Sequence, residues 1–138
     1  KICAYAQGFD LLKKASEHYE WNLNLAEIAK SWRDGCIIRA QFLHHISDAY
    51  MKNTDLPNLL LDDYFLQVVK EALPAWRKVV ATGAAEGLPL PGFSSALAYL
   101  DSLRTSYLWT NLVQAQRDYF GAHTYRRKDK EGNFHTNW

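Results

Sequence analysis

Apolar residues recur at three- and four-residue steps along most of the chain, which is the spacing of amphipathic helices. Near the N-terminus the stripe is carried by Tyr5, Phe9 and Leu12. The helices predicted in this way cover residues 1 to about 19, 25–32, about 36–52, 62 or 63 to 82, 93–107 and 112–120. No segment alternates convincingly between apolar and polar positions as a half-buried strand does. The sequence therefore predicts an all-α protein.

Polar and glycine-rich segments separate these helices. Asn24 is a suitable N-cap for the second helix, and Pro74 should kink or split the long fourth helix. Residues 83–92 contain three Gly and two Pro with no apolar period, which predicts a connection.

The apolar period ends at Gly121, and residues 126–132 are mostly charged. The segment nevertheless keeps three aromatic residues, Tyr125, Phe134 and Trp138, which a purely solvated tail would not need. Such a tail usually docks on another surface, in cis or on a partner subunit. We therefore predict an all-helical domain over residues 1–120 and an extended tail over residues 121–138.

Composition narrows the class of protein. The 138 residues, 48% hydrophobic and 22% charged, fit one globular domain and exclude a disordered chain. The net charge of +1 gives no sign of nucleic-acid binding, and no apolar run is long enough to cross a bilayer. Cys3 and Cys36 are read as reduced thiols, so we expect a cytoplasmic location. The chain opens on Lys1 inside a helical pattern, so we expect it to be part of a longer protein.

Arg39 is the most informative single position. If residues 36–52 form one helix, its side chain falls inside the apolar arc, between Leu43 and Ile46. A guanidinium there needs a partner, because burying an unpaired charge is costly. The partner is either a carboxylate or an anionic ligand, unless the stem packs and the head reaches water.

Arg117 and His123 lie on either side of Gly121, which can release the chain from the last helix. An arginine fork and a titratable imidazole together can hold a phosphate. Both residues also have ordinary structural explanations, since an arginine near a helix C-terminus is favoured by the helix dipole.

Other chemistry is poorly supported. His44 and Asp48 are spaced to share a metal, but they lie on the polar arc without a third ligand, so we predict no metal site. Neither a G-x-G-x-x-G segment nor a P-loop occurs, so we predict no cofactor site in this chain.

Several segments resemble one enzyme family, the decarboxylating 6-phosphogluconate dehydrogenases. These are residues 32–39, 58–62 and above all 114–125, with the sequence Gln-Ala-Gln-Arg-Asp-Tyr-Phe-Gly-Ala-His-Thr-Tyr. The opening residues 5–9 and the closing residues 134–138 fit as well. The resemblance runs in order over essentially the whole chain.

The resemblance implies that the chain is the C-terminal part of a larger oxidoreductase. In the family an N-terminal Rossmann domain binds NADP, and a C-terminal tail penetrates the other subunit of a homodimer. The catalytic lysine and glutamate lie upstream, so no catalytic residue is expected here and the fragment alone should be inactive. The family oxidises 6-phosphogluconate and decarboxylates it to ribulose 5-phosphate, in the pentose phosphate pathway.

Carried over residue by residue, the resemblance implies that Arg39 holds the substrate phosphate. It also implies that Arg117 and His123 reach that phosphate from the neighbouring subunit. The alternative is a non-catalytic helical interaction module related to the enzyme.

Overall fold

The computed structural model describes residues 1–33, 36–37 and 40–138. These residues form six α-helices, one 3-10 turn and one short antiparallel strand pair. The elements are α1 (Ile2–His18), α2 (Leu25–Ser31), α3 (Leu43–Lys52), the 3-10 turn (Leu59–Leu61), α4 (Asp63–Ala85), α5 (Pro91–Leu103), α6 (Thr110–Gly121), β1 (Tyr125–Arg126) and β2 (Asn133–Phe134). The predicted helical class is confirmed. The chain divides into two compact units, residues 1–100 and 101–138.

Two helices begin at side-chain caps. The Asn24 side chain accepts a hydrogen bond from the backbone N–H of Glu27, as predicted for the start of α2. The Asp62 carboxylate accepts from the N–H groups of Tyr64 and Phe65 at the start of α4. In both places a short polar side chain satisfies backbone donors that have no partner within the helix.

The predicted start of the third helix at Cys36 is wrong. α3 begins at Leu43, and the described residues 36–37 and 40–42 are not helical. Tertiary packing accounts for the difference: the Phe42 ring lies edge-on to the rings of Tyr5 and Phe65, at centroid distances of 5.2 and 6.2 Å. An apolar residue that packs from a loop mimics a helical stripe in the sequence.

The predicted connection over residues 83–92 is longer than the real one. α4 continues without a break through Pro74 to Ala85, so the proline does not split it. The helix ends where Gly87 takes a φ of +67°, with its N–H bonded to the Ala84 carbonyl and the Leu88 N–H bonded to the Gly83 carbonyl. This pair of bonds is a Schellman motif, for which glycine is the favoured residue.

α5 differs from its predicted bounds at both ends. It starts at Pro91, because proline suits the first turn of a helix. It ends at Leu103, whereas the sequence predicted a helix to Tyr107. The last helix, α6, is confirmed and extends the predicted segment slightly in both directions.

The core of the first unit is aromatic at its centre. Phe9 is completely buried and stacks on Tyr50, with centroids 5.4 Å apart, and meets the Trp32 ring edge-on at 5.3 Å. The other large buried side chains of this core come from α3, the 3-10 turn and α4: Leu43, Ile46, Leu59 and Phe65. Side chains from α1, α3, the 3-10 turn and α4, together with smaller ones from α2, therefore form the core of the first unit.

The second unit consists of the end of α5, α6 and the tail. The tail contains a short hairpin that the sequence did not predict, in which β1 and β2 pair antiparallel with Tyr125 opposite Phe134. The Tyr125 hydroxyl shares a hydrogen bond of 2.7 Å with the Thr136 hydroxyl. The hairpin folds the tail back on itself, so its last residues return to α6.

Candidate functional site

The C-terminal end of α6 carries the two predicted site residues that the structure describes. Arg117 is exposed, and its Nη1 donates to the Gln114 side-chain oxygen at 3.1 Å. A guanidinium has five N–H donors, and this bond uses one of them. The bond favours one direction of the side chain and leaves most of the fork for a ligand.

His123 lies two residues beyond the end of α6, after the C-cap residue Ala122. Its neighbours Ala122 and Thr124 both take left-handed backbone conformations, with φ values of 48° and 61°. The imidazole folds back over Gly121, so that a Cβ added there would lie 2.8 Å from both Cδ2 and Nε2 of the ring. The sharp turn and the missing side chain at Gly121 together place the exposed imidazole against the end of α6.

Gln114 links the segments that carry these two residues. Its Nε2 donates to the Thr124 carbonyl at 2.5 Å, while its Oε1 accepts from Arg117. Thr124 is the neighbour of His123 in the chain. A single amide side chain thus connects the arginine of the helix to the turn that holds the histidine.

Asp118 is the residue that sequence reasoning missed. It is completely buried, and its carboxylate accepts four hydrogen bonds. Oδ1 accepts from the Thr124 N–H at 3.0 Å and from the His135 ring at 2.9 Å, and Oδ2 accepts from the Thr136 N–H at 3.0 Å and from the Trp138 indole at 3.2 Å. The sequence held one signal, since a carboxylate in the last turn of a helix is opposed by the helix dipole unless something compensates it.

The surroundings of Asp118 stabilise its charged form. Burial by itself would raise the pKa of the carboxyl group, but hydrogen bonds from Thr136, His135 and Trp138 outweigh it and lower the pKa to about 2. Asp118 is therefore ionised throughout the neutral range. Its charge holds residue 124 and residues 135–138 to the same turn of α6.

The other predictions from the sequence concern Arg39, metal binding and membrane-spanning helices. Arg39 lies outside the described residues. Among the residues described, no group of three His, Cys, Asp or Glu side chains could hold a metal ion. In the same part of the chain, no helix has the length and apolar character needed to cross a membrane.

The second unit exposes several large aromatic and aliphatic side chains. Five large apolar side chains on α6 and the segment before it are 67–76% exposed: Tyr107, Trp109, Leu112, Tyr119 and Phe120. Large exposed apolar side chains of this kind are often found at protein interfaces.

Comparison with known proteins gives a consistent result. Residues 1–138 match the family described as 6-phosphogluconate dehydrogenase, C-terminal domain. A decarboxylating 6-phosphogluconate dehydrogenase of Staphylococcus aureus (strain N315) is 63% identical over 138 residues, and one of Staphylococcus epidermidis (strain ATCC 12228 / FDA PCI 1200) is 62% identical. Each alignment covers 100% of this chain and 30% of the relative.

A solved structure agrees with these relatives. It is that of Plasmodium falciparum 6-phosphogluconate dehydrogenase, described in its apo form, in complex with its cofactor NADP+ and in complex with its substrate 6-phosphogluconate. It matches with a TM-score of 0.93 and 52% identity, over 99% of this chain and 29% of the other. The chain thus spans less than a third of the length of the proteins it resembles.

Proposed function

The chain belongs to the 6-phosphogluconate dehydrogenase C-terminal domain family, and from this premise we propose that it supplies the substrate-phosphate-binding and dimerisation part of the whole enzyme. That enzyme oxidises 6-phosphogluconate with NADP and releases carbon dioxide and ribulose 5-phosphate. The remainder of the protein, which precedes this chain, provides hydride transfer and proton transfer. The fragment alone is inactive under this proposal.

One observation carries the proposal. Arg117 and the turn that contains His123 are joined through Gln114 at the end of α6. A phosphate ester is a dianion near neutral pH, and a guanidinium fork with an imidazole donor matches its oxygens. Arg39 is the third proposed phosphate ligand, and its place in the site rests on the family resemblance.

These residues act by binding and orienting the substrate. The phosphate lies at the far end of the sugar chain from the carboxylate that is lost. Contacts to such a remote group are made in the bound substrate and in the transition state alike, so their loss should appear mainly in the KM for 6-phosphogluconate. The sequence of this chain contains no glycine-rich dinucleotide fingerprint, so its residues do not fit NADP and we assign the cofactor to the upstream domain.

The proposed partner is a second identical subunit. The exposed apolar residues of the second unit, which include Trp109 and Leu112, support such an interface. The tail, residues 121–138, is proposed to dock on that subunit. Arg117 at the end of α6 and His123 in the tail would then complete the neighbour's phosphate site. Removal of residues 122–138 should then weaken the dimer, as measured by sedimentation equilibrium.

The deciding experiment is steady-state kinetics on the full-length enzyme with Arg117→Ala. Loss of one charge-assisted contact should raise the KM for 6-phosphogluconate by roughly 10- to 100-fold. The KM for NADP should not change. Arg126→Ala, which removes another exposed arginine of the same unit, is the matched control.

The same exposed apolar surface would also suit the alternative, a non-catalytic interaction module. That reading predicts a full-length protein without dehydrogenase activity, or one whose KM for 6-phosphogluconate is unaffected by Arg117→Ala. Either result would refute the proposed phosphate site.

A further inference from the structure

We infer that Gln114 and Asp118 are positioning residues. They hold the turn at residues 121–124 in the conformation in which Arg117 and His123 can bind the same phosphate. The inference rests on the proposed function. It adds two residues that would never touch the substrate and explains how the exposed ligands are kept in place.

Two side chains of α6 hold both backbone polar groups of Thr124, its N–H and its carbonyl. The Thr124 N–H donates to Asp118 Oδ1 at 3.0 Å, and the Thr124 carbonyl accepts from Gln114 Nε2 at 2.5 Å. Thr124 has a φ of 61°, a conformation that a β-branched residue adopts only when its surroundings impose it. The two side chains supply that constraint.

His123 depends on this arrangement because it has little other support. The residue is exposed, and it lies between two left-handed residues, Ala122 and Thr124. If Thr124 were released, the backbone on the C-terminal side of His123 would be free to relax toward an ordinary conformation. The imidazole would then leave its place against Gly121.

Arg117 is positioned through the same amide. Gln114 Oε1 accepts from Arg117 Nη1, while the other end of the amide holds Thr124. An isolated exposed arginine samples many rotamers, and ordering it on a ligand costs conformational entropy. The Gln114 bond reduces that cost before the phosphate arrives.

Asp118 also connects the end of the tail to the turn that carries His123. Its other three bonds tie His135, Thr136 and Trp138 to the same carboxylate. The covering tail keeps water from the Asp118 oxygens, so the Thr124 N–H has no solvent competitor for its bond. The end of the chain therefore stabilises the turn that carries His123.

The test uses the full-length enzyme with Asp118→Asn and Gln114→Met. An asparagine in place of Asp118 presents an NH₂ group to two of the four donors, and a methionine in place of Gln114 keeps the length but loses both bonds. We expect the KM for 6-phosphogluconate to rise about tenfold or more in each variant. The kcat at saturating substrate and the KM for NADP should stay close to those of the wild type.

Asp48→Asn and Gln116→Met are the controls, because they make the same chemical changes at exposed residues outside the turn and the tail. Their kinetic constants should remain those of the wild type. Circular dichroism and sedimentation equilibrium check that each variant is folded and dimeric. If Asp118→Asn does not fold, the Gln114→Met variant decides, because its half-buried glutamine lies outside the apolar core.

The outcomes separate this inference from the proposed function. A rise in KM in Arg117→Ala together with an unchanged KM in folded Gln114→Met and Asp118→Asn would overturn the positioning role alone. An unchanged KM in Arg117→Ala would overturn both. A selective rise in KM in all three variants would support both.

Discussion

Gly121→Ala offers a test of the histidine's position in which the histidine itself is left intact. The added Cβ would lie 2.8 Å from Cδ2 and Nε2 of the His123 ring, whereas nonbonded carbon atoms settle at about 3.5 Å or more. The exposed ring must therefore move by roughly 0.7 Å. A hydrogen bond of ordinary length, stretched by that much, loses most of its strength.

The substitution should have opposite effects on substrate binding and on stability. Loss of one charge-assisted bond of about 1.5–3 kcal/mol raises the KM for 6-phosphogluconate by roughly 10- to 100-fold. Gly121 is the last residue of α6 and has no positive φ, so alanine should keep or raise helix stability, by at most about 1 kcal/mol. A weakened site in a protein that is no less stable is the signature of displacement rather than unfolding.

The assay is steady-state kinetics on the full-length enzyme, together with the thermal unfolding midpoint. Gly8→Ala is the control, because Gly8 is also helical and a Cβ there would meet nothing within 4 Å. It should leave the KM unchanged. An unaltered KM in Gly121→Ala, with the ring shown by crystallography to have moved, would refute the role of His123 at the phosphate.

Three further predictions concern stability. Phe9→Ala removes a completely buried ring and should lower the free energy of unfolding by about 3–5 kcal/mol, measured by urea denaturation. Ala122 has a left-handed backbone conformation, with a φ of 48°. Ala122→Gly should remove the steric cost of its Cβ and stabilise the fold by up to about 1 kcal/mol, which would raise the thermal unfolding midpoint. Ala122→Val should lower that midpoint. The pKa of Asp118 is lowered to about 2 from an unfolded value near 4, so its contribution to stability is complete above about pH 4 and is lost as the pH falls toward 2. NMR titration of the Asp118 carboxyl group should give a midpoint near pH 2. In Asp118→Asn the free energy of unfolding should depend less on pH between about 4 and 2.

The helical class and most helices could be predicted because their apolar stripes are long and their caps are local. The Asn24 and Asp62 caps depend only on residues within three positions, which is the range that sequence patterns report. The start of α3 could not be found in this way. The apolar residue Phe42 packs from a loop onto residues 23 and 37 positions away, and that contact is decided by the tertiary fold.

In the candidate site, too, the residues marked by nearby sequence could be predicted and the one that depends on the tertiary fold could not. Arg117 and His123 stand out in the sequence because charged and titratable residues flank a helix-ending glycine. Asp118 does not stand out, because three of its four donors lie 17 to 20 residues further along the chain. The strand pair that brings them back has only two residues on each side, too few for an alternating pattern to reveal.

The four bonds to Asp118 also determine how the tail opens. The amide protons of Thr124 and Thr136 are bonded to opposite oxygens of one carboxylate, so loss of that contact exposes both amides together. In a hydrogen-exchange experiment they should behave as one cooperative unit and exchange at a common rate. The segment would then leave α6 in a single step rather than fray residue by residue, and the two amides would report tail detachment while the rest of the molecule stays folded.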